Sequence, residues 1–152
     1  MTFLNLRREE MAPFFVKHYI EGLPIPAAFH SFSDIDHGDP HDHPWAFTSF
    51  IVAGGYVEEV FDRDGTSHFV EHLPGESFRV EANHIHRVVA LPRGECTTIA
   101  IPGPEVQKSG FYQFRADGAY RRDHDGDRAF PDGRGKSVLP GIAFHYYRQW
   151  LF

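Results

Sequence analysis

Short apolar runs separated by turn-forming pairs constrain this chain more than any other feature. "FFVKHYI", "IPAAFHSF", "FTSFIVA", "YVEEVFD", "SHFVEHL", "SFRVE", "HRVVAL" and "TTIAIP" are rich in β-branched and aromatic residues, the composition that suits a pleated, half-buried surface. Between them stand Gly54-Gly55, Asp64-Gly65, Pro74-Gly75 and Pro92-Arg93-Gly94. Such pairs supply the positive φ that tight turns need. Strands this short and this regularly punctuated predict an all-β sandwich or barrel with hairpin turns near Gly54-Gly55, Asp64-Gly65 and Arg93-Gly94. No long stretch has a helical period, and there is no repeat of solenoid type.

A chain of 152 residues, 41% hydrophobic and with 15 phenylalanines, suffices for one domain with a real core. The barrel is expected over about residues 25–115, within a single domain spanning 1–152. After Tyr120 the sequence turns Gly-, Asp- and Arg-rich and reads as a long loop. It is followed by a short apolar extension, "IAFHYYRQWLF", whose final Trp150, Leu151 and Phe152 call for burial. Cys96 is the single cysteine and has no internal partner, which points to a reducing compartment. No leader-like apolar segment opens the chain, and no run approaches the roughly 20 apolar residues that span a bilayer. A cytoplasmic protein without membrane contact is expected. The formal charge of −6, with no basic cluster, argues against nucleic acid as a partner.

Eleven histidines are the compositional anomaly. His41 and His43 flank Asp42 and are followed by Pro44 and Trp45. In an extended segment, residues two apart face the same way, their Cα atoms about 7 Å apart, close enough for both imidazoles to reach one ion. Taken alone, this H-x-H is as compatible with a polar loop as with half a metal site. A second pair, His84 and His86, leads into the run "HRVVAL". A barrel could bring such distant pairs together, leaving open positions on a bound metal. Strand parity would put His84 beside His86 as a further ligand or pocket residue; a loop before the strand would turn it outward, the reading preferred here. Asp42, between two inward histidines, should face out and hold a backbone turn. Trp45 could wall the pocket or simply pack. Glu58 and Glu59 are candidates for a general base, although carboxylates on strands are usually solvated.

With these residues in place, the sequence resembles the cupin superfamily. The first cupin motif, H-x-H followed by three or four residues, Glu, six residues and Gly, is matched by His41-Asp42-His43, "PWAF", Thr48 in the Glu position, and Gly55. The second, P-x-G-x-x-H, is matched in spacing by "EANHIH", with Glu81 and Asn83 replacing Pro and Gly and His86 in the ligand position. The resemblance covers about residues 25–105, and the "HDHPW" wording is similar to a group of small bacterial and phage cupin-like proteins. It implies a double-stranded β-helix, a small jelly-roll barrel with a short C-terminal extension. It also implies a divalent metal held by His41, His43 and His86, with Thr48 in the position of the usual carboxylate; Thr48 joins His84 and Trp45 as a possible pocket residue. With the Glu replaced, the neutral three-histidine set is similar to that of thiol dioxygenases. That favours Fe(II), with Zn, Ni or Mn as alternatives, and leaves room for an anionic substrate and dioxygen. The function expected is a metal-dependent enzyme acting on a small molecule inside the barrel, in the first place an iron-dependent dioxygenase. The alternatives are a cupin isomerase or epimerase and a non-catalytic small-ligand-binding cupin. A homodimer is expected, since cupin barrels commonly pair through their outer sheets.

Three further features carry less. Asp123, Asp125 and Asp127 suggest a calcium loop, but Arg128 and Arg134 occupy the positions where an EF-hand needs Gly and Glu. Cys96, without a basic neighbour, reads as packing. Arg79 and Arg87 are candidate substrate clamps only by their closeness to His86.

Overall fold

The structure, a computed structural model, describes residues 3–124, 130 and 133–137. It consists of β1 (Asn5–Ala12), β2 (Phe15–Glu21), β3 (Ala28–Phe32), β4 (Phe47–Ala53), β5 (Tyr56–Phe61), β6 (Ser67–His72), β7 (Ser77–Val80), β8 (Ile85–Ala90), β9 (Cys96–Pro102), β10 (Gly110–Arg115), β11 (Gly118–Asp123) and β12 (Lys136–Ser137). All pairings among the described residues are antiparallel. One sheet has the order β1-β2-β3-β9-β4-β7. The other is built from β6-β5-β8 and β10-β11-β12, joined through a single residue, His41, which bridges His86 on β8 and Phe111 on β10. Two antiparallel sheets connected this way make the double-stranded β-helix of a jelly-roll barrel.

The apolar runs of the sequence became β2 to β9, but the turns do a different job from the one expected. Asp64-Gly65 closes the β5–β6 hairpin, with Asp62 N–H donating to the Thr66 carbonyl at 2.9 Å. Gly54-Gly55, Pro74-Gly75 and Arg93-Gly94 instead turn corners from one sheet to the other, because β4, β7 and β9 lie in the first sheet and β5, β6 and β8 in the second. The pair Gly54-Gly55 has φ of 81° and 85°. A Cβ on Gly54 would overlap the Glu95 carbonyl oxygen and one on Gly55 the His72 carbonyl oxygen, so this corner is packed against two others. Strand β1, "NLRREEMA", was not anticipated: its charges suit an exposed edge strand rather than a core one. The predicted loop after Tyr120 begins with strand, since β11 runs on to Asp123. The apolar chain end lies outside the described residues.

Between the sheets, one end of the barrel is closed by Ile51, Tyr56, Val88 and Cys96, with Phe32, Phe78 and Leu91 against them. Cys96 is 1% exposed, and burial pushes its thiol pKa up, as befits a packing residue. A second cluster of Phe61, Ile85, Tyr112, Phe114 and Ala119 forms on the other side of the second sheet. By register, the inward face of the six-stranded sheet sets Lys17, His30, Thr98 and Ser49 among apolar residues such as Phe15, Phe32, Ile51 and Phe78, while Val16, Ile20, Phe29, Ile99, Ile101 and Phe50 lie on its outward face. Polar groups set inside a barrel mark a place where something other than packing is wanted.

Candidate metal centre

The H-x-H segment precedes β4 rather than lying on it, and it is held by its neighbours. His41 exchanges backbone hydrogen bonds with His86, N–H to O at 2.9 and 3.0 Å, and Tyr112 N–H donates to the Pro40 carbonyl at 2.8 Å. Asp36 extends the same seam, its carboxylate accepting from Val88 N–H at 2.8 Å. Asp42 faces away from the histidines, as parity requires, but it is 3% exposed rather than at the surface. It accepts from Gly110 N–H at 2.7 Å, Tyr112 Oη at 2.8 Å and Arg121 Nε and Nη2, both at 3.1 Å. From the other side, Gln107 Nε2 donates to the carbonyls of His43 at 2.8 Å and Ala82 at 3.0 Å. The segment carrying His41 and His43 is thus clamped to β8, β10 and the turn before β8 together.

This clamp brings three imidazoles into one space. His41, His43 and His86 each offer a nitrogen within 4.8 Å of the others. Nε2 of His43 and Nε2 of His86 are 3.2 Å apart. Two nitrogens bound at about 2.1 Å stand about 3.0 Å apart at an octahedral angle and about 3.4 Å apart at a tetrahedral one, so 3.2 Å falls within the spacing a metal imposes. Burial, with the neighbouring His86, lowers the pKa of His41 to about 4, and burial with His86 and His41 holds His43 well below the ordinary imidazole value. Both rings are therefore neutral at pH 7, the form that donates to a metal. Nδ1 of His43 is buried with no hydrogen-bond partner among the described residues, so the ring's polar contact lies on its Nε2 side. Phe47 and Phe111 flank the group, with ring centroids 5.1 Å from His43 and 6.1 Å from His41. Donor type, spacing and protonation all fit a divalent transition metal.

Behind His86 stands Glu58, which sequence reasoning left among solvated strand carboxylates. It is 3% exposed, and Glu59 is 1% exposed. Strand β5 lies between β6 and β8 and is covered on both faces: Glu58 points to the histidines and Glu59 to Arg87 and Ser67 on the other side. The signal was present in "YVEEVF", a run apolar at both parities and so buried on both faces. Glu58 Oε2 accepts from His86 Nδ1 at 2.7 Å, and Oε1 lies 3.1 Å from His84 Nε2 and 3.5 Å from His72 Nε2. Burial alone would raise its pKa, but contacts with His72, His84 and His86 and the charge of His86 outweigh that, and it stays well below the usual carboxylate range. His72 moves the opposite way: burial lowers it, yet Glu58 and Glu76 outweigh this and raise its pKa. With Nδ1–H donated to Glu58, His86 keeps its Nε2 lone pair for the three-histidine group, the carboxylate–histidine arrangement that orients metal ligands.

The other predicted residues distribute as follows. His84 does not turn outward: it shares the face of His86, their ring centroids 4.9 Å apart, and reaches Glu58. Thr48 is not at the pocket. It pairs with Ile101 and Arg79, between Phe47 and the buried Ser49, so alternation places it on the outer face; Phe47 takes the inward position instead. Trp45 lines, with Pro44, Glu105, Lys108, Ser109 and His124, an open cleft of about 190 Å³ whose lining includes none of the three histidines. Arg79 is paired with Glu81 at the surface, and Arg87 with Glu59 on the face away from His86, so neither reaches the histidines. Asp123 pairs with Arg121; Asp125 and Asp127 lie outside the described residues.

This all-β architecture is the cupin fold, with a three-histidine group inside able to hold a metal. No protein-family model matches the sequence, and no curated protein matches it by sequence. Solved structures similar to it include hydroxypropylphosphonic acid epoxidase from S. wedmorenis (TM-score 0.53, 14% identity, covering 65% of this chain and 56% of that one). Another is Bacillus subtilis oxalate decarboxylase (TM-score 0.54, 14% identity, 68% and 29% of the two chains). The Lactobacillus farciminis oxalate decarboxylase formate complex is a third (TM-score 0.51, 19% identity, 69% and 32%). The epoxidase has been solved with Fe(II) and the Bacillus enzyme has Mn(II) centres. At these identities the likeness establishes the fold, and the chain spans little more than half of the epoxidase and about a third of the decarboxylases. Among the described residues, no helix is long and apolar enough to cross a membrane.

Proposed function

We propose that this chain is a metal-dependent cupin enzyme that converts a small molecule inside the barrel, and that it is an iron-dependent dioxygenase. The observation that carries the reading is the convergence of His41, His43 and His86, two of whose nitrogens stand 3.2 Å apart with their rings held by backbone and carboxylate partners. A ferrous ion in that site would supply the open positions at which substrate and dioxygen meet. The chain does the rest. His41 and His43 remain neutral through burial and so stay available as ligands at neutral pH. Glu58 fixes the His86 tautomer, and Phe47 and Phe111 keep bulk water from the imidazoles they flank. The isomerase alternative is less well supported. It needs a base free to reach substrate, and the Glu58 carboxylate is already engaged by His86 and His84.

The test is anaerobic reconstitution with Fe(II) followed by nitric oxide, a stand-in for dioxygen. The expected result is the half-integer-spin signal of ferrous iron with nitric oxide bound, lost in His86→Ala. Stoichiometric Fe(II) binding with no such signal would mean that no position is open, and the dioxygenase reading fails.

A further inference from the structure

The barrel interior contains a second group of donors, of which the proposed centre takes only the His86 ring as a ligand. Glu58, His84 and His86 also offer one ligand atom each within 4.8 Å of one another. Here His86 presents its other nitrogen: Nδ1 is 2.7 Å from Glu58 Oε2, whereas Nε2 faces His43. We propose that Glu58, His84 and His86 form a second divalent-cation position, back to back with the three-histidine one and sharing the His86 ring. The inference rests on the reading that the barrel interior holds a metal.

Two observations favour a cation there over a set of hydrogen bonds alone. The first is the donor set: three imidazoles bring no anionic ligand, so an ion held by them alone keeps its full charge in a dry interior, whereas Glu58 supplies a carboxylate. An oxygen donor beside two imidazoles suits Mn(II) or Fe(II) better than imidazoles alone. The second is His72. Its side chain is 10% exposed, and its buried Nε2 faces Glu58 Oε1 from 3.5 Å, an ion-pair contact too long for a good hydrogen bond. With His84 and His86, a third imidazole thus converges on the one buried carboxylate, which makes the surroundings of Glu58 a polar pocket rather than a single ligand–carboxylate pair.

The two positions exclude one another. Ions on both nitrogens of His86 would stand about 6 Å apart and would require the ring to give up its last proton. A neutral imidazole has one lone pair. With Nδ1–H donated to Glu58, the pair on Nε2 serves the three-histidine position. With the proton on Nε2, facing His43 at 3.2 Å, the pair on Nδ1 serves the position beside Glu58. The tautomer of one ring selects where a single ion sits.

The experiment is titration of metal-free protein with Mn(II), counting bound ions by electron paramagnetic resonance, on the wild type and three variants with fold checked by circular dichroism. The wild type should bind one ion per chain. The double variant His41→Ala/His43→Ala should still bind one, through Glu58, and His84→Ala, which leaves Glu58 on His86, should still bind one, through the three histidines. His86→Ala, which cuts both positions, should bind none. A folded His41→Ala/His43→Ala protein that binds nothing overturns the proposal while leaving the three-histidine centre standing. If instead His84→Ala alone loses the ion, the three-histidine centre is wrong and the second position stands. Two ions in the wild type refute the exclusion. Should the double variant not fold, Mn(II) soaked into wild-type crystals decides: an anomalous peak beside Glu58 supports the proposal, and one confined to His41 and His43 overturns it.

Discussion

Asp42→Ala should be among the most damaging substitutions in the chain, although Asp42 touches no imidazole. Its carboxylate is 3% exposed and accepts from Gly110 N–H, Tyr112 Oη and two nitrogens of Arg121, whose side chain is 19% exposed. Removing one partner of a buried ion pair costs about 3–5 kcal/mol. Arg121 keeps Asp123 at 2.7 Å, which favours the lower end, but Tyr112 and Gly110 lose their acceptor as well, at about 1–3 kcal/mol for each buried group. These losses share one cavity and do not add fully, so about 4 kcal/mol is expected overall. Asp42→Asn keeps one acceptor oxygen and should cost about half as much. Because the same residue fixes the segment bearing His41 and His43, metal affinity should fall about 10–100-fold in the folded fraction, as for other groups behind a ligand. Urea denaturation of metal-free protein gives the first number and metal titration the second. A loss under about 1 kcal/mol for Asp42→Ala, with unchanged metal affinity, would refute the clamp.

Acid should weaken the metal-free protein well above the carboxylate range. His41 is lowered from 6.5 to about 4, so below pH 6.5 the unfolded chain takes up a proton that the folded one refuses; stability is full above 6.5 and about 3 kcal/mol is lost by pH 4. His30, lowered to about 3 by burial and Lys17, acts in the same sense, and His72, whose pKa is raised, in the opposite one. Denaturation midpoints that stay flat between pH 7 and 4 would contradict this. The homodimer expected from the sequence remains a proposal, supported by the apolar outer face on which Phe50 is 39% and Val52 51% exposed. Six strands about 4.8 Å apart present enough area for a standard interface. Phe50→Asp should therefore yield a folded monomer by light scattering; a wild type that is already monomeric at micromolar concentration ends the idea.

Much of the barrel was legible because strand runs and turn pairs are local signals: "FTSFIVA" is β4 residue for residue. Which turns close hairpins and which cross between sheets was not legible, because Gly54-Gly55 satisfies the same positive-φ demand in either role. β1 escaped for a related reason, since an edge strand can be charged on both faces. Among the histidines, spacing singles out His41, His43 and His86, and strand parity alone places His84 on the face of His86. Thr48 went astray because the motif permits three or four intervening residues. With three, the inward position falls on Phe47, and alternation admits only one of the two. Glu58 was hidden by a general expectation about carboxylates, although its own strand reads as buried on both faces. Asp42 faces out as read, but its partners Tyr112 and Arg121 are 70 and 79 residues away, beyond any local pattern.

The most direct test of the centre is the metal content of protein produced without a polyhistidine tag and measured by elemental analysis, alongside His41→Ala, His43→Ala, His86→Ala and the outward-facing Thr48→Ala. The account predicts about one divalent ion per wild-type chain, iron when purified under anaerobic conditions. It predicts weakened binding in each single histidine variant, most severely in His86→Ala, and none of this effect in Thr48→Ala. A folded His86→Ala protein that retains metal like the wild type, or a wild type that takes up no divalent ion when it is supplied, would contradict it.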